Sequence, residues 1–483
     1  MKTLLLGPPG AGKTHELMSI VESEIGRGVD PTEILFTTFS KRGAREAASR
    51  AAVGMGYEDS QLTYWSTIHS ICYKEVGVKR SQVMCNQDWQ EIGKELGLSF
   101  DHSVDWYGTR SLGSTLMGLY EYARASLMSF EEVWQRYALD VDWWAFENFI
   151  REVEEYKGFV DKYDFTDMLE VYLEEGHPLP VRVAVVDEAQ DLTTLQWRVV
   201  EKMYQEAERV YIGGEDLQAL YTWMGADMDH FLRMNFDEQI HLDKSQRLPK
   251  SVYDVAQEIT GRIEEGFDKE WTHNGESGFV DTLASVEDLD VTEGTWYLLA
   301  RSSHLLDEFE TLCKEKGVPY RRGNTNSVRA KDVEAIRAWE SLRKGHSIHG
   351  NRLRTLAEFH PVDVAEIVDE MKYTPGEVLG GVPEQIWHDA LEEMDLDRRE
   401  YYIEILRRGE KLDEEPRVYI GSIHSVKGGE AENVAVKLDL TKRTQANMED
   451  YPDSEHRVFY VACTRAMNNL YLILPQGPMG YDL

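Results

Sequence analysis

Two patterns of apolar residues alternate along the chain and predict two kinds of element. Short apolar runs predict buried strands, and the run at 181–186 is rich in β-branched valine, as in covered parallel sheets. Longer stretches with apolar residues at three-and-four spacing predict helices after Thr14, through 71–159 and, with more charge, through 341–414. The predicted strands are Thr3 to Leu6, Ile34 to Thr38, Val181 to Val186 and Tyr211 to Gly213.

Composition limits the class of protein. A chain of 483 residues with 42% hydrophobic residues suggests roughly three or four domain-sized units with real cores. No apolar stretch approaches the roughly 20 residues of a membrane span, and the apolar opening stops at Gly7, too early for a signal peptide. The four cysteines lie far apart without a C-x-x-C pair, which favours free thiols in a reducing compartment. We therefore expect a cytoplasmic protein.

The net charge of −35 bears on the partners of the protein. A strongly acidic protein is repelled by nucleic acid at long range, so a nucleic-acid enzyme of this charge needs its basic residues gathered in one groove. The acidic residues are spread along the whole chain. A high-salt cytoplasm or simply an acidic surface accounts for them, and we lean to the first.

A phosphate loop follows the first predicted strand. Gly7 to Thr14 reads GPPGAGKT, which fits the pattern G-x-x-x-x-G-K-[ST]. Glycines let backbone N–H groups point at phosphate oxygens, and the start of the next helix adds its dipole. Lys13 would reach the β- and γ-phosphates, and Thr14 would hold Mg²⁺.

Two carboxylates after the valine-rich strand predict the second half of this site. Asp187 and Glu188 lie at the carboxyl end of that strand, where ligands bind in open α/β sheets. Asp187 would hold Mg²⁺ through water and Glu188 would polarise the attacking water, although the pair alone also fits a solvated turn. Asp187 lies 174 residues after Lys13, so a segment is inserted between the two halves.

Aromatic and polar residues follow two of the predicted strands. Exposed rings among polar and basic side chains suit the stacking of single-stranded bases, roughly 1–3 kcal/mol per base. Packing in the core is the alternative for these rings. The residues are Phe39, Ser40, Lys41 and Arg42 after the second strand, and Gln218, Tyr221 and Trp223 after the fourth.

Eight motifs in order make the chain resemble the UvrD/PcrA/Rep-type DNA helicases of superfamily 1, subgroup A, over nearly its whole length. They are STIHS at 66–70, DFTDML at 164–169, VVDEAQD at 185–191, GGEDLQALYTWMGA at 213–226, LDKSQRLP at 242–249, LLARSSHLLDEFETLCKEKGVPYRRG at 298–323, GSIHSVKGGEAENV at 421–434 and HRVFYVACTRAMNNLYLIL at 456–474.

The resemblance implies an α/β fold with two RecA-like P-loop motor domains on parallel sheets, each carrying a mainly helical inserted subdomain. ATP and Mg²⁺ would bind in the cleft between the motor domains. The implied boundaries are 1–70 and 160–240 for the first motor domain, 71–159 for its insertion, 241–340 and 415–483 for the second motor domain, and 341–414 for a reduced second insertion.

The resemblance also assigns roles to residues. Arg247 and Arg465 would come from the second motor domain and contact the γ-phosphate, which Gln218 would sense. The implied catalytic residues are Lys13, Asp187, Glu188, Gln218, Arg247 and Arg465. The implied nucleotide contacts are Gly10, Gly12, Lys13, Thr14, His15 and Glu430, with Thr14 and Asp187 on the metal. The implied DNA contacts are Thr38, Phe39, Ser40, His69, Tyr221, Trp223, His424 and Lys427.

The chain departs from the family pattern in several places. Only six residues precede Gly7, so we expect the family's upstream adenine-reading glutamine motif to be missing, and we likewise expect the family's C-terminal tail to be missing. Gln246 stands where the family commonly has a base-stacking Tyr, and Met224 where it has Arg. These changes predict relaxed nucleotide preference with the phosphate chemistry intact.

The leading interpretation is an ATP-dependent helicase that moves 3′ to 5′ along single-stranded DNA and separates duplex at single-strand/duplex junctions, as a monomer. Two alternatives stay open: a translocase that remodels strands with little unwinding, and a nucleotide-dependent switch that binds a protein. Repair, replication, recombination and viral or plasmid propagation all use such motors. The compact chain hints at a virus or mobile element, which would place the protein in a host cytoplasm.

Overall fold

The computed structural model describes residues 1–39, 41–100, 111–137, 141–267 and 270–483, so the candidate Ser40 lies outside the described residues. A first sheet holds five parallel strands in the order β2-β3-β4-β1-β5. Its strands are β1 (Lys2–Leu6), β2 (Ile34–Thr38), β3 (Val183–Asp187), β4 (Arg209–Gly214) and β5 (Glu238–His241).

This sheet is buried on both faces, which explains its nearly continuous apolar runs. Alternate residues of β3 join two different cores, Ala184 and Val186 on one face and Val183 and Val185 on the other. All four strands predicted from the sequence occur in it. The pairing of Thr38 with Asp187 aligns the carboxyl ends of neighbouring strands, so the residues that follow β1, β3 and β4 share one edge.

Helices cover the first sheet, and a helical segment between β2 and β3 builds its own core. The four helices of this segment, α4 to α7, pack around Trp89, Tyr120, Phe146 and Phe149. The helices are α1 (Lys13–Gly26), α2 (Lys41–Met55), α3 (Ile68–Val76), α4 (Asn86–Leu96), α5 (Leu112–Ser126), α6 (Phe130–Tyr137), α7 (Trp143–Val160), α8 (Phe165–Glu175), α9 (Thr194–Met203), α10 (Met228–Arg233) and α11 (Lys250–Thr260).

A second sheet has seven strands in the order β6-β14-β13-β7-β12-β8-β9, parallel except for the hairpin β8–β9. A separate two-stranded antiparallel ribbon pairs β10 with β11. The strands are β6 (Phe279–Leu283), β7 (Trp296–Ala300), β8 (Tyr320–Arg322), β9 (Thr325–Asn326), β10 (Ile348–His349), β11 (Lys372–Tyr373), β12 (Val418–Ser422), β13 (Ala431–Lys437) and β14 (Ala466–Ile473).

The remaining helices complete an α/β fold with two mainly parallel sheets, which confirms the predicted fold class. They are α12 (Asp307–Glu315), α13 (Ala330–Arg343), α14 (Gly350–Ala357), α15 (Pro375–Leu379), α16 (Trp387–Ala390), α17 (Leu396–Arg407), α18 (Lys442–Asp450) and α19 (Pro452–Cys463). Among the described residues, no helix combines the length and apolar character that crossing a membrane requires.

The chain divides into two compact units that differ from the expected motor-domain boundaries. The first unit comprises 1–278 and 441–464, and the second comprises 279–440 and 465–483. The expected motor-domain boundaries stay a prediction, and in the structure residues 241–278, α18 and α19 lie with the first sheet. The physical reason is polar contact at α19: Tyr460 donates a hydrogen bond to Glu215, and Arg457 donates one to the carbonyl of Glu265.

The segment expected as a second insertion shares one hydrophobic core with the second sheet. Trp339 Nε1 donates to the carbonyl of Gln385 at 2.9 Å, and Tyr401 donates to the carbonyl of Val318 at 2.8 Å. Tyr402 donates to the buried carboxylate of Asp332 at 2.8 Å. These bonds join α17 to the loop before β8 and to the start of α13, so the segment packs as part of this unit.

Candidate nucleotide-binding site

The phosphate loop connects β1 to α1 through two glycines in left-handed conformation. Gly10 has φ of 69° and Gly12, which caps α1, has φ of 86°. A Cβ atom on Gly10 would also lie 2.4 Å from the Cβ of Arg247. Glycine is therefore required at position 10 both by its backbone conformation and by the close approach of Arg247.

Lys13 is held inside this loop by three acceptors. Its Nζ donates to the carbonyls of Gly7 at 2.8 Å and Pro8 at 3.3 Å, and to Glu215 Oε2 at 3.0 Å. The side chain of Lys13 is 10% exposed and that of Glu215 is fully buried. The ammonium group thus lies where a phosphate-binding lysine is needed, paired with a carboxylate.

Thr14 and Asp187 bring two oxygen ligands together at the edge of the first sheet. Thr14 Oγ1 donates to Asp187 Oδ2 at 2.7 Å. Burial and the neighbouring Glu188 carboxylate raise the pKa of Asp187 to about 6. A divalent cation would relieve that unfavourable burial of charge, and hydroxyl and carboxylate oxygens are ligands that Mg²⁺ accepts. The two side chains therefore fit the predicted metal site.

Glu188 adopts a left-handed conformation with φ of 56°, which is rare outside glycine and typical of functional sites. Gln190 Nε2 donates to Glu188 Oε2 at 2.6 Å, and Gln190 Oε1 accepts from the amide of Glu215 at 3.0 Å. Gln190 thereby connects the predicted water-activating carboxylate to the residues after β4.

Glu215 and Tyr460 are two site residues that the sequence did not indicate. Gln218 Nε2 donates to Glu215 Oε2, and Tyr460 donates to Glu215 Oε1 at 2.8 Å. The one signal in the sequence was the position of Glu215. It directly follows the end of β4, just as Asp187 lies at the end of β3. An acidic residue after a strand is also typical of a solvated turn, and the partner of Glu215 on α19 lies 245 residues away.

Arg247 lies beside the phosphate loop in the first unit, whereas the resemblance implies a place in the second motor domain, which stays a prediction. The reason is hydrogen bonding between its segment and the loop: Ser245 Oγ donates to the carbonyl of Pro9 at 2.7 Å, and the Gln246 amide donates to the carbonyl of Gly10 at 2.9 Å. Arg247 Nη1 donates to the carbonyl of Thr464 at 3.3 Å.

Five further predicted site residues remain: two nucleotide contacts, one arginine for the γ-phosphate and two DNA contacts. His15 is exposed on the first turn of α1. Arg465 belongs to the second unit, where it is buried and donates through Nη1 to the carbonyl of Gly429 at 3.3 Å. Glu430, His424 and Lys427 belong to the same unit, Glu430 being exposed and the other two half-buried. The roles of these five residues stay predictions.

The predicted DNA contacts of the first unit fall into two groups. Phe39 and Tyr221 are half-buried and stack with ring centroids 4.9 Å apart. Trp223 packs against the core of the helical segment α4–α7, as the core-packing alternative predicted. Thr38 is 2% exposed, so its side chain is not accessible to a strand in this structure, against our expectation.

His69 is half-buried and meets the ring of Phe165 edge to face at 6.1 Å. Phe165 is 57% exposed, a second aromatic position that the sequence analysis passed over. Phe165 is the first residue of α8, directly after the helix cap Asp164, and belongs to the motif DFTDML.

Comparison with known proteins places these residues in a family. The UvrD/REP helicase N-terminal domain matches residues 1–239, and the UvrD-like helicase C-terminal domain matches residues 124–477. The ATP-dependent DNA helicase PcrA of Leuconostoc citreum is 23% identical over 389 residues, covering 70% of this chain and 50% of that protein.

A PcrA helicase of Staphylococcus epidermidis is 23% identical over 322 residues, covering 60% of this chain and 42% of its own length. The chain thus spans about half the length of the curated relatives it matches. The structure of PRRSV helicase aligns with 99% of this chain and 53% of that one at 10% identity, with a TM-score of 0.35. The two domain matches show that the chain belongs to the UvrD-like helicase family, whose domains are RecA-like P-loop motor domains.

Proposed function

We propose that the protein is an ATP-dependent DNA helicase that couples ATP hydrolysis to movement along single-stranded DNA. One observation carries the proposal. Lys13, Thr14, Asp187 and Glu188 lie together at one edge of the first sheet, and hydrogen bonds through Gln190 and Glu215 lead from them toward the loop of Tyr221. The names of the PcrA relatives support the same activity.

The residues at this edge suit phosphoryl transfer to water. The loop amides and Lys13 bind the phosphates and orient them. Glu188, held by Gln190, orients the attacking water and accepts its proton. Mg²⁺ held by Thr14 and Asp187 would offset the charge of the phosphates. Arg247 lies beside the loop, where it would stabilise developing charge. The same role for Arg465 rests on the family resemblance alone.

We further propose that single-stranded DNA stacks on the aromatic residues after β2 and β4 and at the start of α8. Phe39, Tyr221 and Phe165 are the rings concerned, with His69 beside Phe165. Movement 3′ to 5′, action at single-strand/duplex junctions and a monomeric state rest on the family resemblance alone. The same holds for two motor domains with the expected boundaries.

A translocase with little unwinding is the second candidate. The observation that favours it is the single core shared by the second sheet and residues 330–407. A segment packed in this way does not form a separate subdomain that could bind duplex DNA. Strand separation on a forked duplex distinguishes the two candidates, because a translocase would hydrolyse ATP on single strands and leave the fork intact.

Steady-state ATP hydrolysis with and without single-stranded DNA tests the proposal. We expect strong stimulation by DNA, and a loss of about 100-fold or more in Lys13→Ala, because the phosphates lose their buried cation. Lys2→Ala, which removes a half-buried lysine at the start of β1, is the matched control. Hydrolysis without any response to nucleic acid would contradict the helicase proposal and favour a protein-binding switch.

A further inference from the structure

Glu215 joins groups from four separate stretches of the first unit. Its Oε2 accepts from Lys13 of the phosphate loop and from Gln218, and its Oε1 accepts from Tyr460 of α19. Its amide donates to Gln190, which in turn donates to Glu188. The carboxylate is fully buried, so each of its hydrogen bonds lies in a low-dielectric setting.

All three donors of the Lys13 ammonium group are in use in this arrangement. Two go to the carbonyls of Gly7 and Pro8, and the third goes to Glu215 at 3.0 Å. A phosphate can gain a hydrogen bond from Lys13 only if one of these is given up. The Glu215 carboxylate is also a negative charge close to the phosphate site, so it opposes phosphate binding directly.

Release of Lys13 changes the surroundings of Glu215. A buried carboxylate that loses its cation keeps only neutral donors, here Gln218 and Tyr460, and the loss of a charged partner is unfavourable. The strength of the Tyr460 hydrogen bond then determines how much of that penalty is offset. Tyr460 lies on α19, and Glu215 therefore connects the state of Lys13 to that helix.

We propose that Glu215 is a positioning residue that competes with the nucleotide phosphates for Lys13 and transmits the release of Lys13 to α19 through Tyr460. The first part requires only that the protein binds nucleotide. The second part rests on the proposed function, because its consequence is the response of hydrolysis to DNA.

The two ends of this connection predict opposite changes in nucleotide affinity. Glu215→Gln removes the competing charge and keeps the volume, so we expect a non-hydrolysable fluorescent ATP analogue to bind at least about fivefold more tightly. Tyr460→Phe removes a neutral donor that supports the released carboxylate, so Glu215 holds Lys13 more strongly and we expect at least about fivefold weaker binding. A merely structural role would weaken binding in both variants.

Two comparisons make the test specific. In the double variant Glu215→Gln/Tyr460→Phe, the effect of Tyr460→Phe should vanish, because no charged carboxylate remains to be supported. Tyr211→Phe is the matched control: Tyr211 also donates to a buried carboxylate, Glu24, at 2.7 Å, at a distance from the phosphate loop along β4. We expect its nucleotide affinity to equal that of the wild type.

Binding is measured by fluorescence titration without DNA, and thermal unfolding confirms that each variant is folded. Tighter binding by Glu215→Gln with weaker binding by Tyr460→Phe supports the proposal; changes of the same sign, additive effects in the double variant, or no change overturn it. DNA stimulation of hydrolysis is then compared, and Tyr460→Phe should lose most of it. If the wild type binds nucleotide but shows no stimulation, the proposed function fails while the affinities still decide the role of Glu215.

Discussion

At the scale of single residues, Gln246 is the position where the family resemblance implies a base-stacking Tyr. Its side chain is exposed, and its amide hydrogen bond to Gly10 places it beside the phosphate loop. An amide side chain there supplies no aromatic face for a base. We therefore expect ATP and GTP to be hydrolysed with kcat/KM values within about threefold of each other, since phosphate contacts would dominate binding.

A ring at this position should restore base binding. Gln246→Tyr should lower the KM for ATP by up to about tenfold, because stacking of a base on an aromatic ring contributes roughly 1–3 kcal/mol. Gln239→Tyr, at an exposed position on β5, is the matched control and should change nothing. Strict use of ATP by the wild type would show that other residues read the adenine.

The sequence predicted those site residues that belong to short, contiguous motifs. Lys13, Thr14, Asp187 and Glu188 follow strands and lie together as expected. Glu215 and Tyr460 escaped prediction because a pair this far apart in sequence has meaning only once α19 is placed. The burial of Thr38 could not be predicted either, because a threonine at the end of a strand can be buried or exposed.

At the scale of elements, Asp88 ties the two ends of the helical segment together. Its carboxylate accepts from the Cys85 amide at the start of α4, from Tyr156 of α7 and from Lys162 just after α7. Burial raises the pKa of Asp88, but these hydrogen bonds, that of Lys162 foremost, outweigh it and lower the pKa to about 2. The ion pair is mostly buried, so the removal of one partner is more unfavourable than it would be in a surface pair.

Asp88→Asn should therefore destabilise α4 by roughly 2 kcal/mol at neutral pH, through the loss of a charge-assisted hydrogen bond. A carboxyl whose pKa is lowered by folding stabilises the protein above its unfolded pKa near 4 and loses that contribution as pH falls toward 2. The difference between wild type and variant should thus be full at pH 7 and much reduced at pH 3.

Amide hydrogen exchange of α4 measures this difference at the two pH values. Asp142→Asn is the control, because Asp142 caps α7 through the amides of Trp144 and Ala145 and an asparagine caps nearly as well. Equal protection of α4 in wild type and Asp88→Asn at pH 7 would mean that the Lys162 pair adds nothing to the segment.

Four of the five strands of the first sheet were predicted, because a sheet that is covered on both faces requires apolar runs that can be recognised in the sequence. The segment 341–414 was predicted as helical but not as part of the core of the second sheet. Its helical spacing identifies an apolar face and leaves open what that face contacts. Tyr401, Tyr402 and Trp339 make the contacts that decide the matter.

At the scale of the whole molecule, the net charge of −35 conflicts with binding to a polyanion. Long-range repulsion between the two is strongest at low salt and is screened as salt rises. Base stacking on rings such as Phe165 is much less sensitive to salt than contacts to phosphates. A protein with this charge that binds single strands mainly by stacking should therefore keep its affinity at high ionic strength.

We expect the affinity for an oligothymidylate to change by less than about tenfold between 50 mM and 1 M KCl, whereas a protein with 6–10 phosphate contacts loses about 10³–10⁵ already by 200 mM. Phe165→Ala should weaken binding by about fivefold or more at every salt concentration, since it removes a stacking surface and no charge. Trp144→Ala, which removes a 70% exposed ring on α7, should leave binding unchanged. Fluorescence anisotropy across the salt series measures the affinity of all three proteins.

A steep loss of wild-type affinity with salt would mean that contacts between basic residues in one groove and the DNA phosphates dominate binding. The acidic surface would then have no link to a high-salt cytoplasm.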